Sequence, residues 1–130
     1  MSAINLSRRG LLQTGAAALA ASTLPSRMAW AATPVVIGAV YVGPRDDYGW
    51  NQSHAAAMEI LRGVEGVTVI EEENVAETNA VTQTMESMIN LEGANLILAT
   101  SFGYYNPFVI DAAKKYPEVQ FRHCAPLWNE

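Results

Sequence analysis

Val35-Val36-Ile37-Gly38-Ala39-Val40-Tyr41-Val42, then Gly43-Pro44-Arg45-Asp46-Asp47-Tyr48-Gly49, then Trp50–Arg62: this stretch decides the fold. Apart from Tyr41, the first eight residues are β-branched or small, and they show no helical period, the pattern of a strand buried on both faces. The next seven carry glycine, proline and paired aspartates, the residues of a loop. From Trp50 onward, Trp50, His54, Ala57, Met58 and Leu61 fall at helical spacing, which predicts an amphipathic helix ended by Gly63 and Gly66. A buried strand, a short loop and an amphipathic helix make the first half of a parallel β-α-β unit.

The same alternation continues down the chain. Val67–Ile70 predicts a second strand. Thr78 or Asn79 can cap a second helix whose apolar side is Val81, Met85, Met88 and Ile89, closed by Gly93. Leu96–Ala99 predicts a third strand, followed by a turn over Thr100–Asn106. Pro107 suits the first position of a third helix, with Val109, Ala112, Ala113 and Tyr116 on one face. Tyr116-Pro117 stops it, and Val119–Cys124 reads as a fourth strand. The fold class is therefore α/β: a three-layer parallel sheet, a flavodoxin-like half, with strand order 2-1-3-4. With no fifth and sixth elements after the fourth strand, the domain is expected to be truncated.

Ahead of this domain stands a segment of different composition. Residues 1–31 contain Arg8, Arg9 and Arg27 and no acid. Ser7-Arg8-Arg9-Gly10-Leu11-Leu12 precedes a mildly apolar, alanine-rich run to Thr23, and Ala29-Trp30-Ala31 offers the small-x-small pattern that a signal peptidase reads. The run has no polar face, contains Gly10, Gly15 and Pro25, and is too short to hold a bilayer. The expectation is a twin-arginine type signal peptide over residues 1–31, cleaved near Ala31, delivering residues 32–130 to the periplasm. No cysteine follows the apolar run, so no lipoprotein anchor is expected.

Charge and cysteine content narrow the function. With the three arginines of the leader set aside, five basic residues face thirteen acids, a net −8. Such a surface repels nucleic acid and anionic lipid. Glu71-Glu72-Glu73 reads as a solvated strand end rather than a metal site. Cys124 is the only cysteine, which rules out an intrachain disulfide and any CxxC pair. No GxSxG, HExxH, P-loop or GxGxxG occurs, so no catalytic residue, cofactor or metal is expected. His123 and Cys124 are neighbours on a strand and point to opposite faces, so they do not pair as base and nucleophile. His54, on the apolar helix face, reads as a core histidine.

Ligands of open parallel sheets bind beyond the carboxyl ends of the strands. Two segments reach that edge: the loop after strand one, with Asp47, Gly49, Trp50 and Asn51, and the turn after strand three, with Phe102 and Tyr104. Tyr41 closes strand one. Aromatic faces stack on planar rings, and amides donate and accept, so a flat, hydrogen-bonding heterocycle suits the edge. Trp50 and Phe102 would serve equally as an apolar plug on the sheet. Asp46-Asp47 also suits the capping of a turn or helix start. The candidate ligand-binding set is Tyr41, Asp47, Gly49, Trp50, Asn51, Phe102 and Tyr104.

Asp46-Asp47-Tyr48-Gly49-Trp50-Asn51-Gln52-Ser53 resembles the DDxxFNQ segment of the basic membrane protein family of substrate-binding proteins, the purine nucleoside receptor type. Ile110-Asp111-Ala112-Ala113-Lys114-Lys115-Tyr116-Pro117-Glu118-Val119-Gln120-Phe121 resembles that family's helix–proline–strand stretch, and the similarity runs from Val35 to Cys124. The resemblance implies the amino-terminal lobe of a type I periplasmic binding protein. In that family two lobes close on a purine nucleoside and pass it to a membrane permease driven by ATP hydrolysis. Trp50 would replace the phenylalanine that stacks on the base, and Asn51 would keep the amide that hydrogen-bonds it. Many members have an aspartate where this chain has Tyr41, and an acid near Cys124. These departures leave a free purine or another flat heterocycle open beside the nucleoside. A periplasmic enzyme on a flavodoxin-like half, or a ligand-sensing module, stands as the alternative to a transport receptor.

Overall fold

Four strands, all parallel, form one sheet in the order β2-β1-β3-β4: β1 is Val35–Val40, β2 Val67–Glu72, β3 Leu96–Ala99 and β4 Gln120–His123. The computed structural model describes residues 33–124. The signal-peptide reading of residues 1–31, with its cleavage point, lies outside the described residues. The expected strand order holds, and so does the three-layer arrangement. Three helices connect the strands: α1 Trp50–Arg62, α2 Asn79–Asn90 and α3 Ile110–Lys115.

Alternation along β1 divides the core into two layers. Ile37, Ala39 and Tyr41 pack with Met58, flanked by Ala55 and Leu61, under α1. Val40, with Ile97 and Ala99 of β3, packs against Val81, Met85 and Met88 of α2 and against Val109 and Ala112. Gly38 lies on this second side. A Cβ there would stand 2.8 Å from both Ile97 Cδ1 and Met88 Sδ, so the bare backbone is what lets α2 settle close to the central strand.

Helix α2 starts where its side chains dictate. Thr78 is its N-cap, extended at φ −136°, and its hydroxyl accepts from the Ala80 amide. Helix α1 differs in detail from the spacing argument. Its buried side is centred on Asn51 and Met58, whereas Ala57 is exposed and Trp50 retains 44% exposure. A polar residue at a buried position cannot be found from apolar periodicity, which rotates the expected face by part of a turn.

The third crossover is the larger departure. Pro107 does not open a regular helix. A 3₁₀ turn, Phe102–Tyr104, runs into a wider π-type stretch, Tyr105–Val109, broken at Asn106 with φ −118° and ψ 121°, and α3 follows from Ile110. The Asn106–Pro107 peptide is cis. The residue before proline is crowded out of the helical region, so the first regular turn is delayed. Val109 and Ala112 are buried as expected, whereas Ala113 is exposed.

Register brings all four carboxyl ends to one edge. Val40 pairs with Glu72 on one side and Ala99 on the other, and Ala99 pairs with His123. Between β1 and β3 the connections diverge, α1 to one face and α3 to the other. That divergence opens a crevice at the carboxyl ends of the two central strands.

The core beneath the crevice is the test of this packing. Met85→Ala removes a fully buried side chain and should destabilise the fold by about 2–5 kcal/mol in denaturant unfolding. Leu91→Ala, at an 81% exposed position, should shift the same midpoint by no more than about 0.5 kcal/mol.

Candidate ligand-binding edge

The loop after β1 is shaped by one carboxylate. Asp47 Oδ1 accepts from the amides of Gly49 (2.9 Å) and Gln52 (3.0 Å), and Oδ2 accepts from the amide of Asn51 (3.1 Å) and from its side-chain Nδ2 (2.9 Å). These are the orphan amides of the first turn of α1, where a negative charge is also favoured by the helix dipole. The amide hydrogen bonds hold the Asp47 carboxyl well below the usual carboxylate range, at about 2. Gly49 is the formal N-cap, with φ −153° and ψ −121°, and Tyr48 before it sits at φ +56° and is 95% exposed. The capping alternative for Asp47 is what the structure displays.

Asp47 also orients Asn51. Its ionised carboxylate can only accept, so the Asn51 amide nitrogen faces it and Oδ1 points the other way. Asn51 is 5% exposed, and Oδ1 has no hydrogen-bond partner among the described residues.

Trp50 reaches from the start of α1 across the crevice to the end of β3. Its indole Nε1 donates to the Thr100 carbonyl at 2.8 Å. The ring stands 5.4 Å from Phe102 at 56° and meets His54 edge-on at 4.9 Å. Trp50 and Phe102 remain 44% and 51% exposed, so part of each ring is open at the edge. A shallow cleft of about 590 Å³ runs past Tyr48, Gly49, Trp50 and Gln52. His54 is half-buried, and burial lowers its pKa from the ordinary value.

Two candidate residues stand apart from this surface. Tyr41 is fully buried, and its hydroxyl donates to Glu71 Oε1 at 2.8 Å. Tyr104 is fully buried on the opposite side of the sheet, its hydroxyl donating to the Val75 carbonyl at 2.5 Å. Burial raises both phenols above their usual range. The expectation that these rings line the edge is corrected by the geometry: both belong to the layers beneath it. Glu71 is also misplaced by the solvated-strand reading. Its side chain is 3% exposed and pairs with Arg45 at 3.3 Å and with Arg62, while Glu73 takes the Arg45 backbone amide at 2.9 Å. These pairs tie the β1–α1 loop to the end of β2.

Glu77, not singled out from sequence, and His123, weighed there only against Cys124, complete the edge. Glu77, in the loop after β2, accepts from the Ser101 hydroxyl and from the Gly103 amide at 3.0 Å. His123, ending β4, contacts the Ser101 carbonyl through Nε2 at 2.7 Å. A carbonyl only accepts, so Nε2 carries the proton. Tyr105 lies 5.3 Å from the His123 ring. No periodicity marks Glu77 or His123, because their partners lie 26 and 22 residues away along the chain. Among the described residues no group of three or more His, Cys, Asp or Glu side chains could hold a metal ion.

The Asp47 cap sets a pH dependence with a definite sign. Its carboxyl pKa is lower in the folded state than the usual 3.8, so the stabilisation is complete above the unfolded value and is lost as pH falls through the folded one. Asp47→Ala should therefore unfold at lower denaturant concentration than wild type at neutral pH. The gap should close as the pH is lowered from about 4 towards about 2.

Comparison with known proteins places the chain in a family. Residues 34–130 match the family described as ABC transporter substrate-binding protein PnrA-like. The chain is also 39% identical over 89 residues to a purine-binding protein of Brucella abortus (strain 2308), covering 67% of this chain and 25% of that protein. The chain thus spans about a quarter of the length of the curated relative it matches. With the match covering the whole described α/β lobe, the chain belongs to the PnrA-like family of ABC transporter substrate-binding proteins.

Proposed function

We propose that this lobe binds a purine, as free base or nucleoside, or a closely related flat heterocycle, for an ABC importer. The observation that carries the reading is the half-exposed Trp50–Phe102 pair at the β1–β3 crevice, beside the unpartnered Oδ1 of Asn51. Trp50 has given its only donor to Thr100, so it offers a ligand its π-face alone. The Asn51 oxygen, buried and unpartnered at the start of α1, is an acceptor that binding would have to uncover before a ring or exocyclic N–H could reach it. Gly49 shapes the loop that presents both. Tyr41 and Tyr104 act from beneath, as buried supports. The Brucella relative is named for purine binding, which supports the ligand class. A second lobe closes the site, and an inner-membrane permease receives the ligand.

Residues 1–31 are proposed to export the protein to the periplasm by the twin-arginine route. Changing both Arg8 and Arg9 to Lys should leave unprocessed precursor in the cytoplasm. Normal processing of that variant, seen by immunoblot of cell fractions, overturns the route.

The ligand reading is tested by calorimetry on the full-length protein with adenine, guanine, their nucleosides, and sugars or amino acids as controls. A purine should bind and the controls should not. Stacking of a base on an aromatic ring is worth about 1–3 kcal/mol. Trp50→Leu should therefore weaken purine binding roughly ten- to a hundredfold, whereas Trp50→Phe should retain most of it. A folded Trp50→Leu variant with wild-type affinity would show that the ring is a packing residue.

A further inference from the structure

We propose that Glu77 is a positioning residue for the aromatic surface: it fixes the turn that carries Phe102 and thereby holds Phe102 against Trp50. This rests on the purine-site reading for its consequence in binding, though not for its consequence in structure.

Phe102 is half-exposed and lies on a 3₁₀ turn of three residues with no side-chain cap from its own N-cap residue, Ser101. Such a turn has little intrinsic stability. The Ser101 side chain is turned instead to Glu77, which also takes the Gly103 amide at 3.0 Å, so one carboxylate grips the residues on both sides of Phe102. The same oxygen, Oε1, accepts both bonds. The grip leaves no room for a side chain at position 103. A Cβ on Gly103 would fall within a clashing distance of all three carboxyl atoms of Glu77. A side chain here would have to push the Glu77 carboxylate aside, whatever the dihedral angles allow.

The remaining hold on the turn comes from the other side. The Ser101 carbonyl bonds His123, and the Thr100 carbonyl bonds Trp50. Those bonds fix where the turn begins. Within the turn the Tyr104 amide bonds the Ser101 carbonyl and the Tyr104 hydroxyl bonds Val75, while Glu77, from the β2–α2 loop, is the side chain that bonds both neighbours of Phe102. Removing the carboxylate frees Ser101 Oγ and the Gly103 amide to water and releases the Phe102 ring from its set position.

Three variants test this in the full-length protein: Glu77→Gln, Glu77→Ala and Gly103→Ala. The readouts are nuclear Overhauser contacts between the Phe102 and Trp50 rings, adenine affinity by calorimetry, and thermal midpoint as a control for folding. Glu77→Gln keeps an acceptor oxygen and should preserve the ring contact and affinity within about threefold, a conservative-rescue outcome that charge loss alone would not give. Glu77→Ala should remove the contact and weaken adenine roughly tenfold, the lower end of a stacking loss. Gly103→Ala should do the same in the wild-type background, and should add little in the Glu77→Ala background, where the clash is gone. Ring contact and affinity unchanged in Glu77→Ala would overturn the proposal. So would additive effects of Glu77→Ala and Gly103→Ala. If wild type binds no adenine or other purine while the ring contact still follows Glu77, the purine reading falls and the positioning role stands.

Discussion

The end of β3 carries more of this structure than its length suggests. Beyond Ala99 the backbone of Thr100 and Ser101 leaves the sheet, and its carbonyls, one fully buried and one nearly so, no longer have a strand to pair with. A buried carbonyl without a donor costs about 1–3 kcal/mol. The Thr100 carbonyl is satisfied by Trp50 from the start of α1, and the Ser101 carbonyl by the Tyr104 amide together with His123 from the end of β4. The Thr100 hydroxyl turns back to the Val40 carbonyl at 2.9 Å, and Glu77 reaches in from the β2–α2 loop. The carboxyl ends of all four strands are thereby tied to one turn. The crevice that parallel topology opens between β1 and β3 is in this way given fixed walls.

The tie also decides what the walls can offer. An indole has one donor, and Trp50 has spent it on Thr100. The His123 imidazole directs Nε2 at the Ser101 carbonyl, and its Nδ1 is buried with no partner among the described residues. The Asn51 amide is likewise turned by Asp47 so that its oxygen is the free end. The exposed part of the edge is consequently π-surface, while the unpartnered polar atoms, Asn51 Oδ1 and His123 Nδ1, are buried.

Much of this was legible in the sequence, for reasons that particular residues make plain. β3 and α1 fall where their patterns place them because each is bounded by clear signals: apolar against polar for Leu96–Ala99, and glycines on either side of Trp50–Arg62. Thr78 capped α2 as its residue type suggests. The third crossover was harder to read, since Tyr105, Phe108 and Val109 keep a rough apolar rhythm through the break at Asn106. Trp50, Phe102 and Asn51 could be placed at the edge because the edge follows from topology. Tyr41 and Tyr104 could not be separated from them, because a tyrosine at a strand end or in a turn reads the same whether its hydroxyl meets a ligand or, as here, Glu71 and Val75. Glu77 carries no local signal at all; its role exists only once β2 and β3 lie on either side of β1.

The acids at this edge follow a common logic that bears on the ligand. Asp47 is held by the amides of α1, Glu71 by Tyr41 and two arginines, Glu73 by Arg45, and Glu77 by Ser101 and Gly103. Each of these four carboxylates already has its donors within the lobe. Internal donors occupy these carboxylates only in part, Glu77 through Oε1 alone and Glu73 through Oε2 alone. On the purine reading, recognition falls first to the half-exposed rings of Trp50 and Phe102. On the purine reading, that division separates the two tasks: the acids fix geometry, and the neutral groups they position meet the ligand.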